Sequence, residues 1–209
     1  MAQLYVGTTS HLTAVFPMSS ESQMSETLLD FIRMHGAPNM LLSDNAKTQI
    51  SNKVIDILRH YHIKHHRSEP YYQNQNYAER RIQDCKHLVN AIMDRTATPA
   101  KYWLLCLEYA VYVLNHTCEV RNTKTPLEKA HGQKPDVSAL LQFRWFEPVL
   151  YHSPSVSFPS ESNEKLGRWV GVADHIGDAL TYLILDDVTE QVIPRSVVRS
   201  ALNAQQPNF

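Results

Sequence analysis

Asp44 and Glu79 are the residues of this 209-residue chain whose type and spacing best suit chemistry. Asp44 ends the apolar run Met40-Leu41-Leu42-Ser43 and is followed by Asn45-Ala46-Lys47. Glu79, thirty-five positions on, opens a helical pattern behind the polar stretch Gln73-Asn74-Gln75-Asn76. A carboxylate at a strand end and another at a helix start can face one cleft from rigid elements. Carboxylate oxygens suit Mg²⁺ or Mn²⁺, and two such ions about 4 Å apart can clamp the attacking and leaving oxygens of a phosphodiester. Such a site ordinarily needs a third acid. Taken singly, Asp44 before an Asn also suits a turn, and a first-turn Glu79 complements the helix dipole.

Gln83 and Lys86 follow Glu79 by four and seven positions, so a helix places all three on one face. There a lysine can contact a phosphate and an amide can contact sugar or base. The alternative is a solvated face on which Arg80 and Arg81 are simply exposed. His60, His62, His65 and His66 form a second cluster of potential ligands. Zinc needs ligands converging on a tetrahedron, whereas His62 is expected to end a helix and His65 and His66 to alternate along a strand, so their side chains diverge.

The elements that would carry these groups are legible from periodicity. Leu4 to Val6 and Thr13 to Phe16 flank Gly7-Thr8-Thr9-Ser10 and read as a hairpin. Ser20 and Gln23 suggest a capping box for a helix from about Glu21 to His35, stopped by Gly36 and Pro38. Met40 to Leu42 is a short strand. Val54, Ile57, Leu58 and Tyr61 mark a helix, and Ile63 to Arg67 a further strand. Ile82, Cys85, Val89 and Ile92 define a helix from Ala78 to about Arg95. Pro99 starts an apolar helix through Trp103, Leu107 and Leu114, in which Trp103, Tyr109, Tyr112 and Asn115 suit a core or a dimer interface. This mixture predicts a three-layer α/β domain ending near Gly132. Beyond Pro135, Glu147 to His152, Trp169 to Ala173, Leu180 to Leu185 and Gln191 to Val198 are short β-like runs, the spacing of a small barrel.

Composition sets the outer limits. An apolar fraction of 43% fits a globular chain. The net charge of −1 excludes bulk electrostatic DNA binding. Yet residues 44–94 hold eight Lys or Arg against six acids, and residues from 140 onward hold five against eight. A nucleic-acid surface would therefore be local, beside the two acids. Three cysteines without a C-x-x-C pair argue for reduced thiols. Without a long apolar run or a signal-like N-terminus, the expected location is intracellular.

Leu42-Ser43-Asp44-Asn45-Ala46, the thirty-five-residue step and Asn76-Tyr77-Ala78-Glu79-Arg80 together resemble the second and third acids of the D,D-35-E signature of retroviral and retrotransposon integrases. Tyr5-Val6-Gly7-Thr8-Thr9-Ser10 and Ala14-Val15-Phe16-Pro17-Met18 look like the second and third strands of that ribonuclease-H-like core. Thr125-Pro126-Leu127-Glu128, Gly132-Gln133-Lys134-Pro135 and Gly167-Arg168-Trp169-Val170-Gly171-Val172 are similar to the region after the core in LTR retrotransposon polyproteins, most of all the copia type.

The resemblance implies an integrase core over 1–134, lacking its first strand and the first catalytic Asp, followed by a small β-rich domain over 135–209. It implies Mg²⁺ or Mn²⁺ on Asp44 and Glu79, DNA contacts from Asn45, Asn76, Gln83 and Lys86, a homo-oligomer, and a nuclear location for an active protein. The implied activity is DNA 3′-end processing and strand transfer. An inactive remnant that still binds nucleic acid or oligomerises is the alternative, and a ribonuclease-H-like nuclease of another kind is a third.

Overall fold

The computed structural model describes residues 1–43, 51–67, 77–118, 123–153 and 162–202. The chain divides into two compact units, Met1–Lys86 and His87–Phe209. Asp44, Asn45 and Asn76 lie outside the described residues.

In the first unit, strands β1 (Ala2–Val6) and β2 (Thr13–Pro17) form the expected antiparallel hairpin, with Leu4 opposite Val15. Helix α1 (Met24–His35) is followed by β3 (Met40–Ser43), α2 (Asn52–His60) and β4 (Lys64–Arg67), and β3 and β4 pair in parallel. Parallel pairing requires a crossover, and α2 lies within it. Leu28 and Ile32 of α1, one turn apart, pack with Val54 and Leu58 of α2. Tyr5, Phe16 and Ile63 complete this core. The buried Tyr5 hydroxyl bonds Thr27 Oγ1 at 3.1 Å, and Thr27 in turn donates to the Met24 carbonyl.

The two ladders have chemically different edges. Met1 and Met18 exchange both backbone hydrogen bonds, so alternation turns the amides of Ala2, Leu4 and Val6 outward from β1, and those of Thr13, Val15 and Pro17 outward from β2. Pro17 removes a donor from the outer edge of β2, and β4 reads Lys-His-His-Arg; both are devices that discourage further pairing. Neither protection is present on β1 or on the apolar β3.

Local capping differs from expectation in one place. Ser20 makes no side-chain cap bond; Gln23 Oε1 instead accepts from the Ser19 amide at 2.7 Å, while Ser20 and Ser22 bond each other. A short 3₁₀ turn, Glu21–Gln23, precedes α1 and displaces the cap geometry. At the end of α2, the Ile63 amide donates to the Leu58 carbonyl at 2.8 Å and His62 takes a left-handed φ of 53°. Glycine normally fills that position.

In the second unit, helix α3 (Tyr77–Thr96), which begins in the first, continues to a 3₁₀ turn at Ala100–Tyr102 and α4 (Trp103–His116). The buried Cys106 thiol faces the Val89 carbonyl. Helix α5 (Pro126–His131) is capped by Thr125, whose hydroxyl accepts from the Glu128 amide at 3.1 Å, and ends at left-handed Gly132. Five antiparallel strands follow: β5 (Pro148–His152), β6 (Glu164–Val172), β7 (Tyr182–Asp186), β8 (Val192–Arg195) and β9 (Val198–Ser200), in the order β8-β7-β6-β5-β9. The run Gln191 to Val198 thus yields two strands on opposite edges of the sheet. Trp169, fully buried, centres the core with Val149, Tyr151, Tyr182 and Ile184. Tyr109 of α4 stacks on Trp145 at 4.9 Å and meets Trp169 edge-on at 5.5 Å. No helix among the described residues is long and apolar enough to cross a membrane.

A polar knot closes the β7–β8 turn. Asp186 Oδ1 accepts from the amides of Val188 at 2.9 Å and Thr189 at 2.5 Å and from the Thr189 hydroxyl, while Tyr151 donates to Oδ2. Burial raises the Asp186 pKa, but these donors outweigh it and hold the carboxyl at about 2. A depressed carboxylate contributes stability that is complete above its ordinary 3.8 and is lost as pH falls through about 2.

Two outcomes follow. Replacing His62 with glycine relieves the left-handed residue and raises stability by roughly 0.5 to 1 kcal/mol, read as a higher denaturant midpoint at unchanged m-value. Asp186→Asn lowers stability at neutral pH by about 1.5 to 3 kcal/mol. Its thermal midpoint also falls less than the wild type's between about pH 4 and pH 2.

Candidate active site

Strand β3 ends on Ser43, the residue before Asp44, and its side chain is only 9% exposed. Ser43 Oγ and His65 Nε2 on neighbouring β4 lie 2.8 Å apart. The register pairs Leu41 with His65, so Ser43 reaches diagonally to a residue on its own sheet face. Burial, followed by the Arg67 charge, pushes the His65 pKa below its ordinary 6.5, so the ring is neutral at pH 7. This bond fastens the end of β3 to β4. His60, His62 and His66 are exposed, and among the described residues no group of three or more His, Cys, Asp or Glu gathers at metal-binding distance.

Glu79 lies in the first turn of α3 and is exposed, as are Gln83 and Lys86. At 3.6 residues per turn, the three fall within about 60° of arc. The opposite face buries Cys85 and Val89. Burial raises the Cys85 pKa, and the Arg81 charge opposes that rise.

Arg81 departs from the alternative reading, in which both arginines are exposed. It is 7% exposed, and its Nε donates to Thr13 Oγ1 at 3.0 Å. The helical phase explains this, because Arg81 lies four positions before Cys85 on the core stripe. Its arginine identity concealed that placement in the sequence. Arg80 is exposed. The Ser43 and His65 pairing carried no sequence signal either, since a serine before an acid and a histidine on a basic strand are both ordinary surface residues.

The arrangement offers one exposed carboxylate on a rigid helix beside an amide and an ammonium, and a strand pinned at the residue that precedes the second carboxylate. Its donor chemistry suits a hard divalent cation held by carboxylates.

Solved structures share this architecture. The catalytic core domain of HTLV-2 integrase in complex with magnesium, in its trimeric form, is similar with a TM-score of 0.53 and 22% identity, over 62% of this chain and 84% of that one. Over that share the chain has the fold of a retroviral integrase catalytic core. The dimeric form of the same HTLV-2 domain gives a TM-score of 0.50 at 22% identity, over 62% and 83% of the two chains. A chain of the simian T-cell lymphotropic virus intasome in complex with PP2A regulatory subunit B56 gamma gives 0.51 at 18% identity, over 96% of this chain and 74% of that one. The likeness to the intasome chain therefore takes in the C-terminal β-strands as well. No protein-family model matches the chain, and no curated protein matches it.

Stability reports the strand clamp directly. A histidine whose pKa is lowered by folding contributes fully above 6.5 and loses that contribution as pH falls below it. His65→Gln, which keeps a polar atom near Ser43 but cannot titrate, is expected to flatten the wild type's decline in thermal midpoint between about pH 7 and pH 5.

Proposed function

We propose that this chain is the integrase region of a copia-like LTR retrotransposon, with residues 1–134 as catalytic core and 135–209 as a small β-rich domain, and that it acts in DNA integration. The observation that carries this reading is the exposed face of Glu79, Gln83 and Lys86 on α3, in a fold shared with retroviral integrase cores. Asp44 and Glu79 would hold the divalent cation. When bound, that ion supplies charge neutralisation at the phosphodiester.

The chain's own side chains do the rest by position. Lys86 contacts a phosphate of the DNA, and Gln83 contacts sugar or base on the same face. Asn45 orients the neighbouring Asp44, and Asn76 approaches the DNA end. The chemistry is in-line displacement, first by water at the element's 3′ ends and then by the freed hydroxyl on target DNA, so no nucleophilic side chain is required.

A third acid belongs to this set, on a strand lying along the outward amides of Ala2, Leu4 and Val6. The edges of β1 and β3, which carry neither proline nor charge, support such a strand. DNA is the partner, and a homo-oligomer is the working form, in keeping with the dimeric and trimeric states of the HTLV-2 core domain. A nuclear site of action follows from the substrate.

Strand transfer measured with an acid-bearing strand supplied ahead of β1 tests the reading. Glu79→Gln is expected to lower it at least about 100-fold, on the order of the loss that follows removal of one transition-state-stabilising group. Equal activity in the variant and the parent would overturn the role of Glu79. Lys86→Ala should weaken DNA binding and reduce the slope of log affinity against log salt by about 1.

A further inference from the structure

We infer that Arg81 is a positioning residue for the candidate site: its buried bond to Thr13 fixes the rotation of α3 and thereby the direction in which Glu79 points. The inference rests on reading Glu79 as a metal ligand.

Burying a guanidinium costs several kcal/mol unless polar partners replace its water. An apolar residue would fill the first core position of α3 without that cost. Arginine is present there nonetheless, and Thr13, which receives its Nε, is 2% exposed.

The acceptor is itself oriented. Thr13 spends its one hydroxyl proton on the His11 carbonyl at 3.2 Å, which leaves the oxygen lone pairs for Arg81. His11 has a left-handed φ of 63°, and its amide donates to the Gly7 carbonyl at 2.8 Å, so the connection between β1 and β2 is closed on itself. A continuous set of hydrogen bonds therefore runs from that connection through Thr13 to the start of α3.

Within a helix, azimuths are fixed relative to one another. Positions 79 and 81 differ by about 200°, so holding Arg81 inward on β2 holds Glu79 outward. Apolar contacts of Cys85 and Val89 favour the same rotation, but they permit sliding and small rolls that a directional hydrogen bond does not. Ligand groups of a metal site must be held to within about 0.5 Å and 10–20°, so a small roll of α3 is enough to weaken the site.

The test uses Mn²⁺ alone as the probe, its dissociation constant measured by water-proton relaxation on the chain with the acid-bearing strand supplied ahead of β1, beside the thermal midpoint of each variant. Thr13→Val is nearly isosteric and deletes the hydroxyl, and with it both the bond from Arg81 and the bond to the His11 carbonyl; Thr13→Ser retains it; Arg81→Met removes the donor. Thr13→Val and Arg81→Met are each expected to weaken Mn²⁺ binding by up to about tenfold, the equivalent of one hydrogen bond, with the double variant no weaker than either single one. Thr13→Ser is expected to bind as the wild type does.

Wild-type affinity in Thr13→Val, with Glu79→Gln abolishing binding, would overturn the positioning role and leave Glu79 as a ligand. Equal weakening in Thr13→Ser and Thr13→Val would also overturn it, since the hydroxyl would not be the agent. Unchanged binding in Glu79→Gln would overturn the metal-ligand reading and the inference together.

Discussion

One apolar core, built where α1 and α2 converge, holds together two strand ladders that share no hydrogen bond among the described residues. Leu28, Ile32, Val54 and Leu58 are nearly or fully buried there, each contributing about 1.5 to 3 kcal/mol. Tyr5 and Phe16 bring one ladder onto this core, while Leu41 and Ile63 belong to the other or adjoin it. Everything proposed for the site depends on that shared support. Without it, neither Ser43 at the end of β3 nor Thr13 at the start of β2 has a fixed place from which to act.

Helix α3 turns this support outward. Its core stripe reads Arg81, Cys85 and Val89, and its outer face reads Glu79, Gln83 and Lys86. A helix cannot rotate one face without the other, so the identity of its buried residues sets the direction of its exposed ones. The mixed character of that stripe is informative. Apolar residues anchor the helix and one guanidinium aims it.

The C-terminal sheet solves a different problem with the same means. Trp169, Ile184 and Val149 are completely buried, and Asp186 gathers four donors into the turn between β7 and β8. Lys101 pairs with Glu190 at 2.5 Å, and Tyr112 donates to Asp174 at 2.8 Å. With Tyr109 against Trp145 and Trp169, these contacts bind α4 and the 3₁₀ turn before it to the sheet and its connections within one compact unit. Tyr109 is thus a core residue, whereas Trp103 on the same helix stays 41% exposed.

The sequence by itself determined the order and type of the elements from β1 to α4, the phase of α3 and the thirty-five-residue step between the two acids. Each of these is a local or periodic property, readable at 3.6 or two residues per repeat. Glu79, Gln83 and Lys86 share a face for that reason alone. Only the tertiary structure decided that Arg81 is inside, that Ser43 meets His65, that Ser20 makes no cap bond, and that Gln191 to Val198 splits between two sheet edges. Arg81 and Thr13 stand 68 positions apart, and Ser43 and His65 stand 22 apart. Bonds at such separations exist because packing brings their partners together, and no local pattern of residue types encodes that packing.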